Sequence, residues 1–244
     1  MTELSATHHI IDLTTMADSD RRKLFDDIHA QILVPAFPSN EMTPLSVLQQ
    51  MWAGMPPRLA VHAALDRRDQ PVGCAVAEWF PQSSVLLFAY LAVHADSRGQ
   101  GIGTSLITRA VQDWATVYHP SLIVAEVEDP RVYPRTLDQD PRARLRLYVR
   151  LGARPLKFKY IQPEINPGAG RVRDLLLLVA QEFSTGTLTK PSGIVGIPAA
   201  LVLAFLDEYY YDSEGDNYRD EEFISMINPL VNETVIALSN SSAW

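Results

Sequence analysis

Residues 91–103, Leu-Ala-Val-His-Ala-Asp-Ser-Arg-Gly-Gln-Gly-Ile-Gly, constrain this chain more than any other stretch. They read as a strand, a short turn and a glycine-rich entry into a helix. Ile102, Leu106, Ile107, Ala110, Val111, Trp114 and Tyr118 then recur at the period of about 3.6 residues that marks one buried helix face. Glycines just ahead of a helix let the backbone turn tightly and leave successive N–H groups clear of side chains. Together with the positive end of the helix dipole, such N–H groups form a site for phosphate. The run Arg98, Gly99, Gln100, Gly101, Ile102, Gly103, Thr104 therefore reads as a pyrophosphate cradle.

The spacing narrows the choice of nucleotide. A dinucleotide turn needs Gly-x-Gly-x-x-Gly, but Thr104 or Leu106 stands where the last glycine should be. A phosphate loop of the Walker type needs a lysine, and this turn has none. Arg98-x-x-Gly101-x-Gly103, preceded by a strand ending Leu91-Ala92-Val93, resembles the acyl-CoA-binding motif of the GNAT-type N-acetyltransferases. The resemblance implies acetyl-CoA as cosubstrate, bound by Leu91, Ala92 and Val93 and by the turn from Arg98 to Thr104; strand N–H groups near Leu91–Val93 are placed to polarise its carbonyl.

Composition fits a single large domain, or one domain with an appendage. The chain has 244 residues, 47% of them hydrophobic. Residues 1–10 hold no long apolar run, and Val195–Leu206 is too short for the roughly 20 residues of a membrane span. We therefore expect no membrane partner. One cysteine, Cys74, excludes an internal disulfide framework and suits a reducing cytoplasm, which is the expected location. A net charge of −8 argues against a nucleic-acid partner and favours a cationic substrate. The six histidines show no metal-ligand spacing, so no metal is expected.

Along the chain, Asp18 or Ser19 is placed to cap a first helix carrying Leu24, Phe25, Ile28 and Ile32, which three prolines in Val34–Pro44 should end. Leu45–Gly54 reads as a second helix. Strand-like runs follow at Leu59–Leu65, Val72–Phe80 and Val85–Val93. After the glycine turn and its helix come a strand at Leu122–Glu128 and a helix at Pro141–Leu151, with Asp140 at its cap and Gly152 past its end. Two more strands, Leu156–Ile161 and Leu175–Ala180, close the series. This order matches the α/β (α+β) GNAT acyltransferase fold, whose mixed sheet splays around the CoA site. The resemblance covers residues 10–182, leaving 183–244 as a linker and helical C-terminal extension.

A second match is Leu147-Tyr148-Val149-Arg150-Leu151-Gly152-Ala153, similar to the family's Leu-Tyr-x-x-x-Gly-Phe segment with Ala153 in place of the aromatic. It implies that Tyr148 lies near the CoA sulfur. Ala125-Glu126-Val127 resembles the strand that carries the general base in ribosomal-protein N-terminal alanine acetyltransferases, which puts that role on Glu126. Glu128, two residues on and on the same face, is the substitute. Ala89 stands where many relatives carry a glutamate, so that base is missing, and Asp129–Asp140 forms a longer link without the usual asparagine.

These residue types suit the chemistry. An amine of pKa near ~10 is neutral in about one molecule in a thousand at pH 7, a handicap of roughly 4 kcal/mol that a carboxylate can relieve. A phenol can assist the departing thiolate. The family's acceptor cleft borders its first two helices, which makes Phe37, Glu41 and Trp52 candidate acceptor residues. The expected reaction is acetyl transfer to a primary amine, with a small molecule as acceptor. A protein lysine or N-terminus, and a catalytically silent acyl-CoA-binding sensor, are the alternatives.

In the tail, Ser184–Gly196 reads as a linker, and Ala199–Tyr211, Tyr218–Ile227 and Leu230–Leu238 read as helices. Asp212, Glu214 and Asp216 imitate the start of a calcium loop, but Asn217 and Phe223 replace its glycine and glutamate, leaving a solvated acidic turn. Capping the sheet, covering the acceptor cleft and forming a homodimer all remain open for this tail.

Overall fold

A computed structural model describes residues 8–53, 56–136, 140–182, 188–189 and 195–239. The residues fall into two compact units, Met1–Trp79 with Phe88–His119, and Phe80–Leu87 with Pro120–Trp244.

In the first unit, β1 (His8–Asp12) pairs antiparallel with β2 (Leu59–Asp66), which pairs with β3 (Pro71–Phe80), and β4 (Val85–Val93) follows in the strand order. The helices before β2 are α1 (Asp18–Ile28), α2 (Val34–Ala36) and α3 (Leu45–Gln50), and α4 (Ile102–Tyr118) follows the glycine turn. Alternation sorts the strands. Leu59, Val61, Ala63 and Leu65 of β2 pack with Phe25, Ile28, Leu48 and Trp52 of the helical layer. On the other face, the buried His62 ring places Nε2 2.9 Å from Asp113 Oδ2 of α4 and meets Trp114 edge-on.

One expectation for this unit is corrected. The cap of α1 is Ala17, because the Asp18 carboxylate is taken by Arg21 and Arg22 one turn on. The helical path ends within Val34–Pro44, as expected, with Phe37 and Pro38 extended after Ala36. A π turn over His29–Leu33, closed by Val34 N–H donating to His29, carries the chain into α2 with Pro35 in its first turn. Helix α3 ends at Gln50, and Gly54, the expected stop, lies outside the described residues.

The second unit contains β5 (Leu122–Glu128), α5 (Pro141–Arg150), β6 (Arg154–Pro155), β7 (Tyr160–Gln162), β8 (Val172–Glu182), β9 (Leu188–Thr189), β10 (Val195–Pro198), α6 (Ala199–Glu214), α7 (Glu221–Val231) and β11 (Val235–Ala237). Strand β8 lies between β5 on one side and β6 and β7 on the other, all antiparallel. The expected cap of α5 is present, with Ala143 N–H donating to Asp140 Oδ1 at 2.8 Å.

Three tail and edge readings change. Of the expected strand Leu156–Ile161 only Tyr160–Ile161 is strand, in β7; β6 lies before it, and Lys157 N–H donates to Ala237 of β11 rather than to β8. Leu230–Leu238 is not a helix: α7 stops at Val231, and Val235–Ala237 pairs with β10. The expected linker holds β9 and the start of β10, its other residues lying outside the described ones. Gly196 explains why β10 and β11 fit together: a Cβ there would fall 2.2 Å from the Ile236 carbonyl oxygen.

Candidate active site

The glycine turn is built as its spacing requires. Gly99 and Gly101 both have φ +79, a left-handed conformation that costs other residues strain. Gly101 is the N-cap of α4 and brings no side-chain cap. The N–H groups of the first turn of α4 therefore lack an intrahelical acceptor. Gly103 differs, because its φ is not positive and a Cβ there would only touch Val93 Cγ2 at 3.7 Å. The fold thus accommodates a side chain at Gly103, and the bare backbone serves access from outside. Arg98 Nε donates to the Val93 carbonyl at 3.2 Å and ties the turn to the end of β4. Behind it, Gly73 lets β3 press against α4, since a Cβ would sit 3.2 Å from Leu106 and 3.3 Å from Ile102. The donors, the open space and the helix dipole fit a pyrophosphate.

The three acceptor candidates have separate surroundings. Phe37 packs edge-on against Tyr90 with ring centroids 5.2 Å apart. Tyr90 accepts from Thr43 N–H at 2.9 Å and donates its hydroxyl to Thr43 Oγ1 at 3.1 Å, which fixes the loop that carries Glu41. Glu41, in a short turn over Ser39–Glu41, is partly exposed. Trp52 is buried against Phe25, with the Arg21 guanidinium 4.8 Å over its ring.

In the second unit, β5 presents Glu126 partly exposed. Its Oε1 accepts from the Tyr160 hydroxyl and its Oε2 from Gln162 Nε2 at 2.7 Å. Both donors are buried. Glu128 differs, being buried with Arg144 Nη1 3.3 Å from its Oε2. Tyr148 is buried on α5, and burial pushes its phenol up to about 12 against the opposing pull of Arg144. Arg142, Arg146 and Arg150 are exposed, the solvated face their spacing suggests.

Sequence reasoning missed Tyr160, Gln162 and the role of Arg171. Arg171 gathers Glu214, Asp220 and Glu222 and lies over the Tyr210 ring at 5.1 Å. Glu214, read as part of a solvated acidic turn, is thus drawn inward. Short-range patterns carry no signal for such partners, which lie 34 to 51 residues apart. A cavity of about 1000 Å³ in this unit is lined by Lys159, Ile161, Met226, Leu230 and Ile236 among others. Ile161 faces it while its neighbours Tyr160 and Gln162 bond Glu126, so the cavity lies away from that carboxylate. No group of three or more His, Cys, Asp or Glu able to hold a metal occurs among the described residues.

Residues 57–152, which contain the glycine turn, Glu126 and Tyr148, match the sequence model of the acetyltransferase (GNAT) domain. Over those residues the chain is similar to GNAT acetyltransferase domains. Among solved structures, a GNAT-family protein from Bacteroides thetaiotaomicron shares the fold at TM-score 0.50 and 19% identity, over 72% of this chain and 88% of its own. A GNAT family acetyltransferase from Elizabethkingia anophelis with acetyl-CoA bound aligns at TM-score 0.46 and 16% identity, over 73% of this chain and 100% of its own. A phosphinothricin acetyltransferase from Sinorhizobium meliloti in complex with acetyl-CoA gives 0.47 and 18%, over 76% and 94%. No curated protein matches. The mixed α/β architecture described above is the fold of the GNAT class. No helix among the described residues is long and apolar enough to cross a membrane.

Proposed function

We propose that this GNAT-like chain moves the acetyl group of acetyl-CoA to a primary amine of a small molecule, by direct attack within a ternary complex. The observation that carries this reading is the Glu126 carboxylate, partly exposed and held from behind by two buried donors. Acetyl-CoA would supply a thioester as electrophile, its phosphates held by the backbone from Arg98 to Thr104 and its carbonyl polarised by strand N–H groups near Leu91–Val93. Glu126 takes a proton from the bound amine, directly or through one water, as the nitrogen lone pair attacks the thioester carbonyl and the C–S bond breaks to release the CoA thiolate. Glu128 is less suited to that work because its carboxylate already faces Arg144.

Tyr148 serves the leaving sulfur by hydrogen bonding rather than by full proton transfer. From a phenol at about 12 to a thiolate at ~8.5, transfer is uphill by roughly 5 kcal/mol. A protein-sized acceptor is less well suited, because Tyr90 and Thr43 pin the Phe37 loop as a fixed wall. Glu41 and the net charge of −8 favour cationic amines. Cys74, buried with its thiol pushed up to about 12 by that burial, suits a reducing cytoplasm.

Thiol release from acetyl-CoA, with putrescine, tyramine and glutamate as acceptors, tests the reading. We expect the two cationic amines to outrun glutamate. Glu126→Gln should lower turnover ~10²–10⁴-fold near pH 7, with the loss shrinking as the amine deprotonates unaided. Full activity of Glu126→Gln on a confirmed acceptor removes the base from Glu126.

A further inference from the structure

We propose that Tyr160 and Gln162 are positioning residues that fix the Glu126 carboxylate and hold it ionised. The proposal rests on the reading of Glu126 as the base. Three observations converge on it. First, the two donors occupy both carboxylate oxygens, Tyr160 on Oε1 and Gln162 on Oε2, so the plane of the group is fixed as one hydrogen bond alone would not fix it. A carboxylate oxygen can accept more than one hydrogen bond, so a donor on each is compatible with taking a proton.

Second, exposure is divided in the way a positioned base requires. Tyr160 and Gln162 are 1% and 6% exposed, whereas Glu126 reaches solvent. Strand β7 brings both donors to the carboxylate across β8, where Tyr160 is opposite Leu175 and Glu126 opposite Leu177. Neither donor can rotate into water to find another partner.

Third, Gln162 makes this bond at its own expense. Its Oε1 is buried and has no hydrogen-bond partner. Flipping the amide would set that oxygen against the carboxylate, so Glu126 decides the orientation. A buried acceptor left unpaired is costly, and the arrangement tolerates it to keep a donor on Oε2.

The other groups around Glu126 leave Tyr160 as a donor. Tyr209 and Tyr210 of α6 and the Glu126 charge itself surround its phenol, and burial with these neighbours raises it well above the ordinary tyrosine value. Tyr160 therefore keeps its proton throughout the working pH range. Glu128, on the same side of β5, is compensated by Arg144, and Arg171 over Tyr210 is compensated by Glu214. Hydrogen bonds to a carboxylate favour its charged form, so removing either donor should make Glu126 easier to protonate.

The experiment is a carboxyl ¹³C NMR titration of the full chain, with the Glu126 signal assigned by its loss in Glu126→Gln. Tyr160→Phe and Gln162→Leu preserve shape and delete one donor each. We expect the Glu126 midpoint to rise by about one pH unit in each variant. The acid limb of kcat/KM for putrescine should move upward by the same amount. A midpoint unchanged in both folded variants overturns the proposal. Should Tyr160→Phe fail to fold, Gln162→Leu alone decides. Retention of activity by Glu126→Gln would instead overturn the base assignment, and the titration separates that failure from this one.

Discussion

The Glu208 carboxylate on α6 accepts both the backbone N–H and the hydroxyl of Ser83, at 2.8 and 2.7 Å, from 125 residues earlier in the chain. Its other oxygen accepts Gln82 N–H at 3.1 Å. Glu208 and Ser83 are both buried, so these donors have no water to turn to. The tail helix thereby clamps the turn between β3 and β4, and Phe80 adds an edge contact with Phe205 at 5.3 Å. Glu208→Ala leaves buried donors unpaired, each worth about 1–3 kcal/mol. We expect a loss of at least about 2 kcal/mol in urea denaturation, with Glu208→Gln intermediate. An unchanged midpoint for Glu208→Ala would show that the clamp contributes nothing.

Gly101 and Gly103 should separate conformation from access. Gly101→Val forces a β-branched residue to φ +79 and should lose both stability and CoA affinity. Gly103→Ala meets only an ordinary contact with Val93, so its melting temperature should hold while CoA affinity falls about tenfold, or about 1.4 kcal/mol. Calorimetric titration with CoA checks both. Unaltered affinity in Gly103→Ala would move the phosphates elsewhere.

Tyr90→Phe keeps the ring against Phe37 but strips Thr43 of its acceptor. The buried Thr43 N–H then lacks a partner, at a cost of about 1–3 kcal/mol. If the loop walls the acceptor site, KM for putrescine rises while KM for acetyl-CoA stays level. Glu41→Gln should likewise raise the putrescine KM with little change in kcat, the mark of lost uniform binding. Equal rises in both KM values would mean a general loosening instead.

Alkaline pH should weaken the fold through its tyrosines. Burial raises the phenols of Tyr118, Tyr148, Tyr160 and Tyr210, Tyr148 to about 12. A group that binds its proton more tightly when folded gives stability that is complete below the unfolded value near ~10. That stability is lost as pH rises through the folded value. Each such phenol contributes up to about 1.4 kcal/mol per pH unit within that window. Denaturation free energy measured from pH 8 to 12 should fall only above pH ~10, and Tyr148→Phe should make the fall shallower. A decline that begins below pH 9 would assign it to other groups.

The sequence by itself determined what local spacing can encode. Helix α4 and strands β4 and β5 have the boundaries their periodicity gives, and the Asp140 cap and the left-handed glycines of the turn are where the residues demand them. These features depend on a residue and neighbours within one turn or one alternation. Tertiary structure decided the rest, because the partners are remote in the chain. A stretch of β-branched residues after Pro229 became β11 only because Gly196 lets β10 approach its backbone. Glu214 turned inward only because Arg171 was there to compensate its charge. Glu126 was legible as a carboxylate on a strand, but its environment was not. Tyr160 and Gln162 reach it across β8, and the pairing register that puts them there is settled by which faces the whole unit buries.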